Sequence, residues 1–214
     1  LVGSEMCIRD SMYSNGVDTM LQLGQVLLAL YITFYLYAFI IYGGMVKFFG
    51  KYNPIQFFKD IAPAGLNAFG TCSSSATIPI SLKCASEKIG IPEEITSLTL
   101  PLGATINMDA VSILMSFMIT FFATALGIDL SIGTMVTVLA CNVLLSIGTP
   151  GVPGGAIAAF AALCPIAGIP TNQILGVYIS VNTLCDMGAT CVNVIGDLAC
   201  STVLKQTLHF DKKK

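Results

Sequence analysis

The stretch SIGTPGVPGG, Ser146 to Gly155, decides how this chain folds. It holds two prolines and four glycines in ten residues. Proline lacks the amide proton a helix needs, and glycine loses most freedom when held helical, so no helix runs through it. Apolar sequence lies on both sides: Ser131 to Leu145 before it and Ala156 to Leu163 after it, the second arm stopping at Pro165. An α-helix needs about 20 residues, at about 1.5 Å each, to cross a bilayer core. Both arms are shorter, so they read as a re-entrant helical hairpin. Non-helical backbone is tolerated at membrane depth only against protein or a water-filled cavity.

Working towards the N-terminus, the same pattern recurs. Pro54 to Phe69 is one helical arm, GTCSSSATIP (Gly70 to Pro79) is an interruption, and Ile80 to Lys88 is the second arm. An interfacial amphipathic segment followed by a loop is the plainer alternative for this stretch. Between the hairpins, Ile95 to Leu126 is long enough to span, but its centre reads GATINMDA. Gly103, Asn107 and Asp109 do not suit the centre of a lipid-facing helix, which predicts a span broken near Asn107. Gly127 to Asp129 forms a turn. Leu21 to Val46, with Tyr31, Tyr35, Tyr37 and Tyr42, is an uncharged first span, and Thr171 to Leu204 is the last. The expected fold class is an all-α membrane protein, with spanning helices plus two re-entrant helical hairpins in inverted repeat. Interrupted segments at matching places in two such units point to a binding site near the midplane.

Composition agrees. Of 214 residues, 55% are hydrophobic and only 10% charged, and the mean hydropathy is +0.82. Soluble domains carry about 25% charged residues. The net charge of -2 argues against a nucleic-acid partner, which needs a basic face. The eight cysteines form no CxxC pair and read as small buried thiols. Lys47, Lys51, Lys59, Lys83, Lys88, Lys205 and Lys212 to Lys214 all fall on one side of the predicted topology. By the bias of basic residues that side is cytoplasmic, and the C-terminus with it. Residues 1–11, LVGSEMCIRDS, have no helical period and no signal-peptide core, and resemble a translated adapter sequence rather than native protein. Residues 12–214 are then the folded unit.

Three carboxylates, Asp109, Asp186 and Asp197, lie deep in apolar sequence, and no basic residue stands between Lys88 and Lys205. On insertion scales each would cost roughly 2.5–3.5 kcal/mol at a helix centre. Bound cations or a substrate amine are their natural partners. Asp186, Thr190, Asn193 and Asp197 recur at helical spacing and share one face. Two carboxylates, an amide and a hydroxyl in line are the oxygen ligands that hard cations take. A polar packing seam is the structural alternative. Helix ends freed at Asn107 and at the two hairpin tips add N–H groups for an anion and carbonyls for Na⁺. Ser73, Ser74 and Ser75 bring hydroxyls and N–H groups together at the first tip.

SSSATIP, NMD, SIGTPGVPGG and DMGATCVNVIGD, in that order, resemble the dicarboxylate/amino acid:cation symporters, which include the glutamate transporter homologues. The resemblance covers most of Leu21 to Lys205. It implies a symporter, not an enzyme, with Na⁺ as coupling ion, no other cofactor, a plasma-membrane location and a homotrimer for the full-length protein. Gly103, Asn107, Asn193 and Asp197 would hold one sodium. Thr105, Met108, Ser146, Ile147 and Thr149 would hold a second, mostly through carbonyls. Asn107 and Asp109 would share a third with an earlier helix. Ser74 and Asn193 would take the substrate carboxylate and Asp186 its amino group, with Thr190, Gly151 and Val152 alongside. The trimerisation scaffold is expected to precede Leu21, so this chain would be the moving core, with the second hairpin as outer gate.

Two departures bear on the substrate. Acidic-substrate members have an arginine three residues after the amine-binding aspartate, where this chain has Ala189. They also tend to have a threonine two residues after the NMD aspartate, where it has Val111. Cys72 at the first tip supplies no replacement charge. A substrate carboxylate would be buried without a cation, so a neutral amino acid fits better. An acidic substrate, a dicarboxylate or proton coupling are the alternatives within the class. An intramembrane aspartyl protease would need GxGD, and here Val194 precedes Ile195, Gly196 and Asp197 in place of the first glycine. A passive channel is the other rival.

Overall fold

The computed structural model describes residues 21–208. The adapter-like segment 1–11 and the terminal lysines 212–214 lie outside the described residues. Eight α-helices and a short 3₁₀-helix, Cys164–Ala167, are described, with no strand among these residues. Helix α1 is Leu21–Phe48, with a π-turn at Ala38–Tyr42. Helices α2 (Pro54–Thr71) and α3 (Ser74–Lys83, continued by a π-turn over Cys84–Ile89) form the first hairpin. Helices α4 (Glu93–Ile106) and α5 (Asp109–Ala125) flank a break at Asn107 and Met108. Helices α6 (Ile132–Ile147) and α7 (Gly155–Leu163) form the second hairpin, and α8 (Thr171–Thr207) is unbroken.

Local sequence sets these boundaries. Asn53 caps α2, its side chain accepting from the Ile55 amide at 2.9 Å, and Pro54 opens the helix where no amide proton is needed. Ser73 caps α3 through the Ala76 amide at 3.1 Å, and Ser131 caps α6 through the Thr134 amide at 3.1 Å. The first interruption is shorter than the sequence suggests. Only Cys72 and Ser73 are non-helical, because Cys72 turns the chain in one step through the left-handed region (φ 51°) and Ser73 restarts the helix at once. Ser74 and Ser75 therefore stand in the first turn of α3, and Pro79 is carried inside it. The second interruption keeps a longer turn, Gly148 to Gly154, in which Gly154 has φ 76°.

Three helical stretches are long and apolar enough to cross a membrane: Leu21–Phe48, Glu93–Ala125 and Thr171–Thr207. The hairpin helices are not among them. Helix α8 is the central post. Its Tyr178, Cys185, Ala189, Val192, Leu198 and Ala199 are buried, and it packs against α2, α4 and α5. Helices α1 and α6 turn apolar faces outward, with Leu28, Ile32, Leu36 and Phe39 exposed on one and Ile132, Val136, Leu139 and Leu144 on the other. Such outward faces suit lipid or further protein and not water. The seven cysteines of the described residues are free thiols; Cys72, Cys84, Cys164 and Cys185 are buried as the sequence leads one to expect, Cys141 and Cys191 are half-buried, and Cys200, near the end of α8, is exposed.

Candidate functional site

The break between α4 and α5 faces α8, and two of the three carboxylates meet there. Asp197 accepts a hydrogen bond from the Asn107 amide at 2.9 Å, and the same amide donates to the Asn193 carbonyl at 3.1 Å. Asn193 answers from α8: its side-chain oxygen accepts from the Ala110 backbone N–H at 3.0 Å, one of the free donors at the start of α5. Its side-chain nitrogen donates to the Met108 sulfur at 3.3 Å. The close approach requires glycine at two points. A Cβ on Gly103 would collide with the Asp197 carboxylate, and one on Gly196 would lie 2.5 Å from the Tyr42 hydroxyl and 2.6 Å from the Asn107 amide nitrogen.

Asp109 is held from α1. Tyr37 and Tyr42 both donate to its Oδ2, at 2.7 and 2.8 Å. In a regular α-helix, positions five apart point about 140° away from each other. The π-turn at Ala38–Tyr42 removes much of that angle, because its hydrogen bonds close from residue i to i+5. It brings both hydroxyls to one oxygen. A cavity of about 680 Å³ opens beside this group, lined by Tyr37, Gly103, Asn107, Asp109, Ser146 and Asp197 among others.

The two hairpin tips meet on the other side of Asn193. The Gly151 carbonyl accepts from the Ser73 hydroxyl at 3.0 Å and from the Ser75 backbone N–H at 3.2 Å. Asp186 accepts from the Gly154 N–H at 3.1 Å and from the Thr190 hydroxyl at 3.3 Å. The space enclosed is lined by Ser74, Val111, Gly151, Val152, Asp186, Thr190 and Asn193, with Cys72, Met108 and Thr149. It holds only about 10 Å³, no more than the space of a single water. The tips are therefore closed on each other in this conformation, and a ligand requires them to part.

The predicted site residues thus fall into two adjoining groups joined through Asn193 and Met108, with three placements apart. Thr105 is exposed, its hydroxyl bonded back to the Leu102 carbonyl at 2.8 Å. Ile147 is half exposed at the rim of the larger cavity. Ala189 is fully buried on α8 but lines neither cavity. Ser146 is buried and bonded to Ser112 at 2.7 Å, and Thr149 is buried with its hydroxyl on the Leu145 carbonyl. Sequence reasoning missed Tyr37 and Tyr42 as partners of Asp109, because their spacing shares no face of a regular helix. It also missed the Gly154 N–H on Asp186. Pro153 and Gly155 on either side of Gly154 were the available signal for a free amide. The three aspartates have neutral donors, and no salt bridge to any of them occurs among the described residues.

Residues 6–207 match the sequence pattern described as the Sodium:dicarboxylate symporter family. The chain belongs to that family. Individual relatives agree. Neutral amino acid transporter A of Homo sapiens is 34% identical over 179 residues, which is 81% of this chain and 33% of that protein. Excitatory amino acid transporter 2 of Homo sapiens is 36% identical over 145 residues, 68% of this chain and 25% of that protein. Excitatory amino acid transporter 3 of Mus musculus is 39% identical over 145 residues, 68% of this chain and 28% of that protein. The chain spans about a third or less of the length of these relatives. All three are transporters by name, and none is an enzyme. Membership of that family agrees with an all-α chain of apolar helices and leaves the protease reading without support.

Proposed function

We propose that the full-length protein is a secondary symporter that couples Na⁺ entry to uptake of a neutral amino acid across the plasma membrane. The observation that carries this is the gathering of Asp109, Asp186 and Asp197 around one helix break and two closed tips, with only neutral donors beside them. Hydrogen bonds from amides and hydroxyls soften the burial of a carboxylate but leave its charge uncompensated. Cations arriving with the substrate complete the balance.

The division of labour follows the two groups. Around the break, Asp197, Asn107 and Asn193, with backbone oxygens exposed by the break, offer the hard ligands of one sodium, and Gly103 keeps the space beside Asp197 open. Ser146, Thr149, Ile147, Met108 and Thr105 offer a second set from α6 and the α4–α5 break. Asn107 and Asp109, with the hydroxyls of Tyr37 and Tyr42, offer a third. At the tips, Asp186 takes the substrate amine when it leaves Gly154. Ser74 and the amide of Asn193 take the carboxylate, with Ser73, Ser75, Gly151 and Val152 closing over it. Val111 and Ala189 present no charge to the side chain, so an acidic side chain would stay unpaired.

In this reading the α2–α3 and α6–α7 hairpins are re-entrant and enter from opposite faces, and the lysine-bearing ends and the C-terminus are cytoplasmic. The exposed apolar faces of α1 and α6 meet lipid or the scaffold part of a homotrimer. The test is uptake by the purified full-length protein in proteoliposomes. A panel of neutral and acidic amino acids is offered with a sodium gradient, with a proton gradient and with neither. Uptake of a neutral amino acid driven by sodium alone is expected. Uptake driven by protons, or of aspartate in preference to neutral substrates, would overturn the corresponding part.

A further inference from the structure

Resting on the membrane placement in the symport reading above, we propose that the joint between α1 and α2 holds the headgroup of an anionic phospholipid, with Lys47 and Lys51 on its phosphate.

The joint is a built turn. Helix α1 ends at Phe48, and the chain that follows takes up its last carbonyls. The Gly50 N–H donates to Met45 at 3.1 Å and the Tyr52 N–H to Val46 at 3.1 Å. Position 50 requires glycine, because a Cβ there would lie 2.8 Å from the Val46 carbonyl oxygen. Lys51 then takes φ 49°, a left-handed conformation that is costly for a residue with a side chain. The Tyr52 hydroxyl is fixed on Asp60 at 2.7 Å, and the Asn53 side-chain oxygen accepts from the Ile55 and Gln56 amides. These bonds shape a cleft of about 590 Å³, lined by Lys47, Lys51, Tyr52, Asn53, Pro54 and Ile55.

The cleft carries positive charge without an acid to balance it. Lys47 lies over the Phe48 ring, 5.8 Å from its centroid, and neither lysine has an acidic partner among the described residues. Asp60 is the acid closest to the joint in sequence. It is already engaged by Tyr52 and, at 2.9 Å, by Gln56, and it does not line the cleft. Pro54 and Ile55, at the positive end of the α2 dipole, form one wall. Two ammonium groups and that dipole end suit a phosphate.

Position decides which phosphate. Helix α1 is long and apolar enough to cross a membrane, and Lys47 stands in its last turn, so the cleft lies at the depth of lipid headgroups. Around it Phe48, Phe49 and Ile55 are 73%, 65% and 69% exposed. Aromatic side chains favour the membrane interface, and basic residues immediately beside a span attract anionic lipid. A free phosphate ion would meet the same lysines but gain nothing from this apolar rim.

The test uses the purified full-length protein in detergent and reads lipid binding by native mass spectrometry. The probes are dihexanoyl phosphatidylglycerol, dihexanoyl phosphatidylcholine and inorganic phosphate. The glycerol lipid should bind about tenfold more tightly than the choline lipid. The double variant Lys47→Gln/Lys51→Gln should lose that preference, and Lys47→Arg/Lys51→Arg should keep it. Both lysines are exposed, and a far-ultraviolet circular dichroism spectrum equal to the parent's confirms that a variant is folded. If the double variant does not fold, the single variant Lys51→Gln is read in its place and should lose at least half of the preference. Equal binding of the two lipids, or an unchanged preference in the glutamine variant, overturns the proposal. Displacement of the glycerol lipid by an equal concentration of inorganic phosphate also overturns it, and makes the cleft a site for free anions. Loss of the lipid preference leaves sodium-driven uptake untouched, whereas failure of sodium-driven uptake in the proteoliposome panel overturns the symport reading and not the lipid site.

Discussion

At the scale of single residues, the three aspartates differ in what holds them, and their substitutions should differ accordingly. Asp186 accepts hydrogen bonds from Gly154 and Thr190, both beside the closed tips. Asp186→Asn should abolish amino-acid binding in the full-length protein and spare sodium binding, which calorimetry with each ligand separates. Normal substrate affinity in that variant would remove Asp186 from the amine site. Gly103 and Gly196 are the converse case, where a missing side chain matters. Gly196→Ala places a methyl group against Tyr42 and Asn107 at once. Overpacking of this kind costs about 1–3 kcal/mol. Because it displaces a candidate sodium ligand, sodium affinity should fall more than thermal stability does. Equal sodium affinity in the two proteins would show that Asn107 is not a ligand.

Among elements, the π-turn of α1 has a job that its sequence does not announce. It turns Tyr37 and Tyr42 onto one carboxylate oxygen. Tyr42→Phe removes one of two donors to the half-buried Asp109 carboxylate, a loss of about 1.5–3 kcal/mol for a bond to a charged group. A lowered thermal midpoint that sodium partly restores is expected. A midpoint unchanged from the parent would mean the bond is not formed in the protein as purified. The hairpin tips form the second element-level device. Gly151 supplies the carbonyl that both Ser73 and Ser75 use, and a Cβ there would collide with the Ala104 carbonyl and press on Ser74 and Ser75. Gly151→Ala should hold the tips apart. A thiol reagent should then label Cys72, now buried beside them, many times faster than in the parent. Unchanged labelling would show that the tips do not govern access.

For the whole molecule, ligand linkage gives the simplest check. Any ion bound only by the folded protein stabilises it by about 2.7 kcal/mol at a hundredfold excess over its dissociation constant. Sodium should therefore raise the thermal midpoint of the full-length protein where the same concentration of choline does not, and added amino acid should raise it further. Indifference to sodium would argue for protons as the coupling ion. The side-chain pocket is tested at this scale too. Ala189→Arg places a cation where the family's acidic-substrate members have one, and competition uptake should shift towards aspartate or glutamate. Since Ala189 is fully buried, the variant is read only if it retains sodium-stabilised folding.

The sequence by itself determined the class of fold, the break at Asn107, the second tip and the polar face of α8. These rest on chain-local physics: uncharged runs of membrane length, residues that cannot be helical, and a repeat matching the helical turn. It overstated the first tip, because serines that cap and begin a helix look like a loop when only composition is weighed. Pairings between distant segments were left to the tertiary structure. Tyr37 and Tyr42 on Asp109, Gly154 on Asp186 and Gly151 on both serines join positions 32 to 78 residues apart. No periodicity encodes such contacts. They are decided where packing brings helix ends, a π-turn and glycine gaps against polar groups of distant segments.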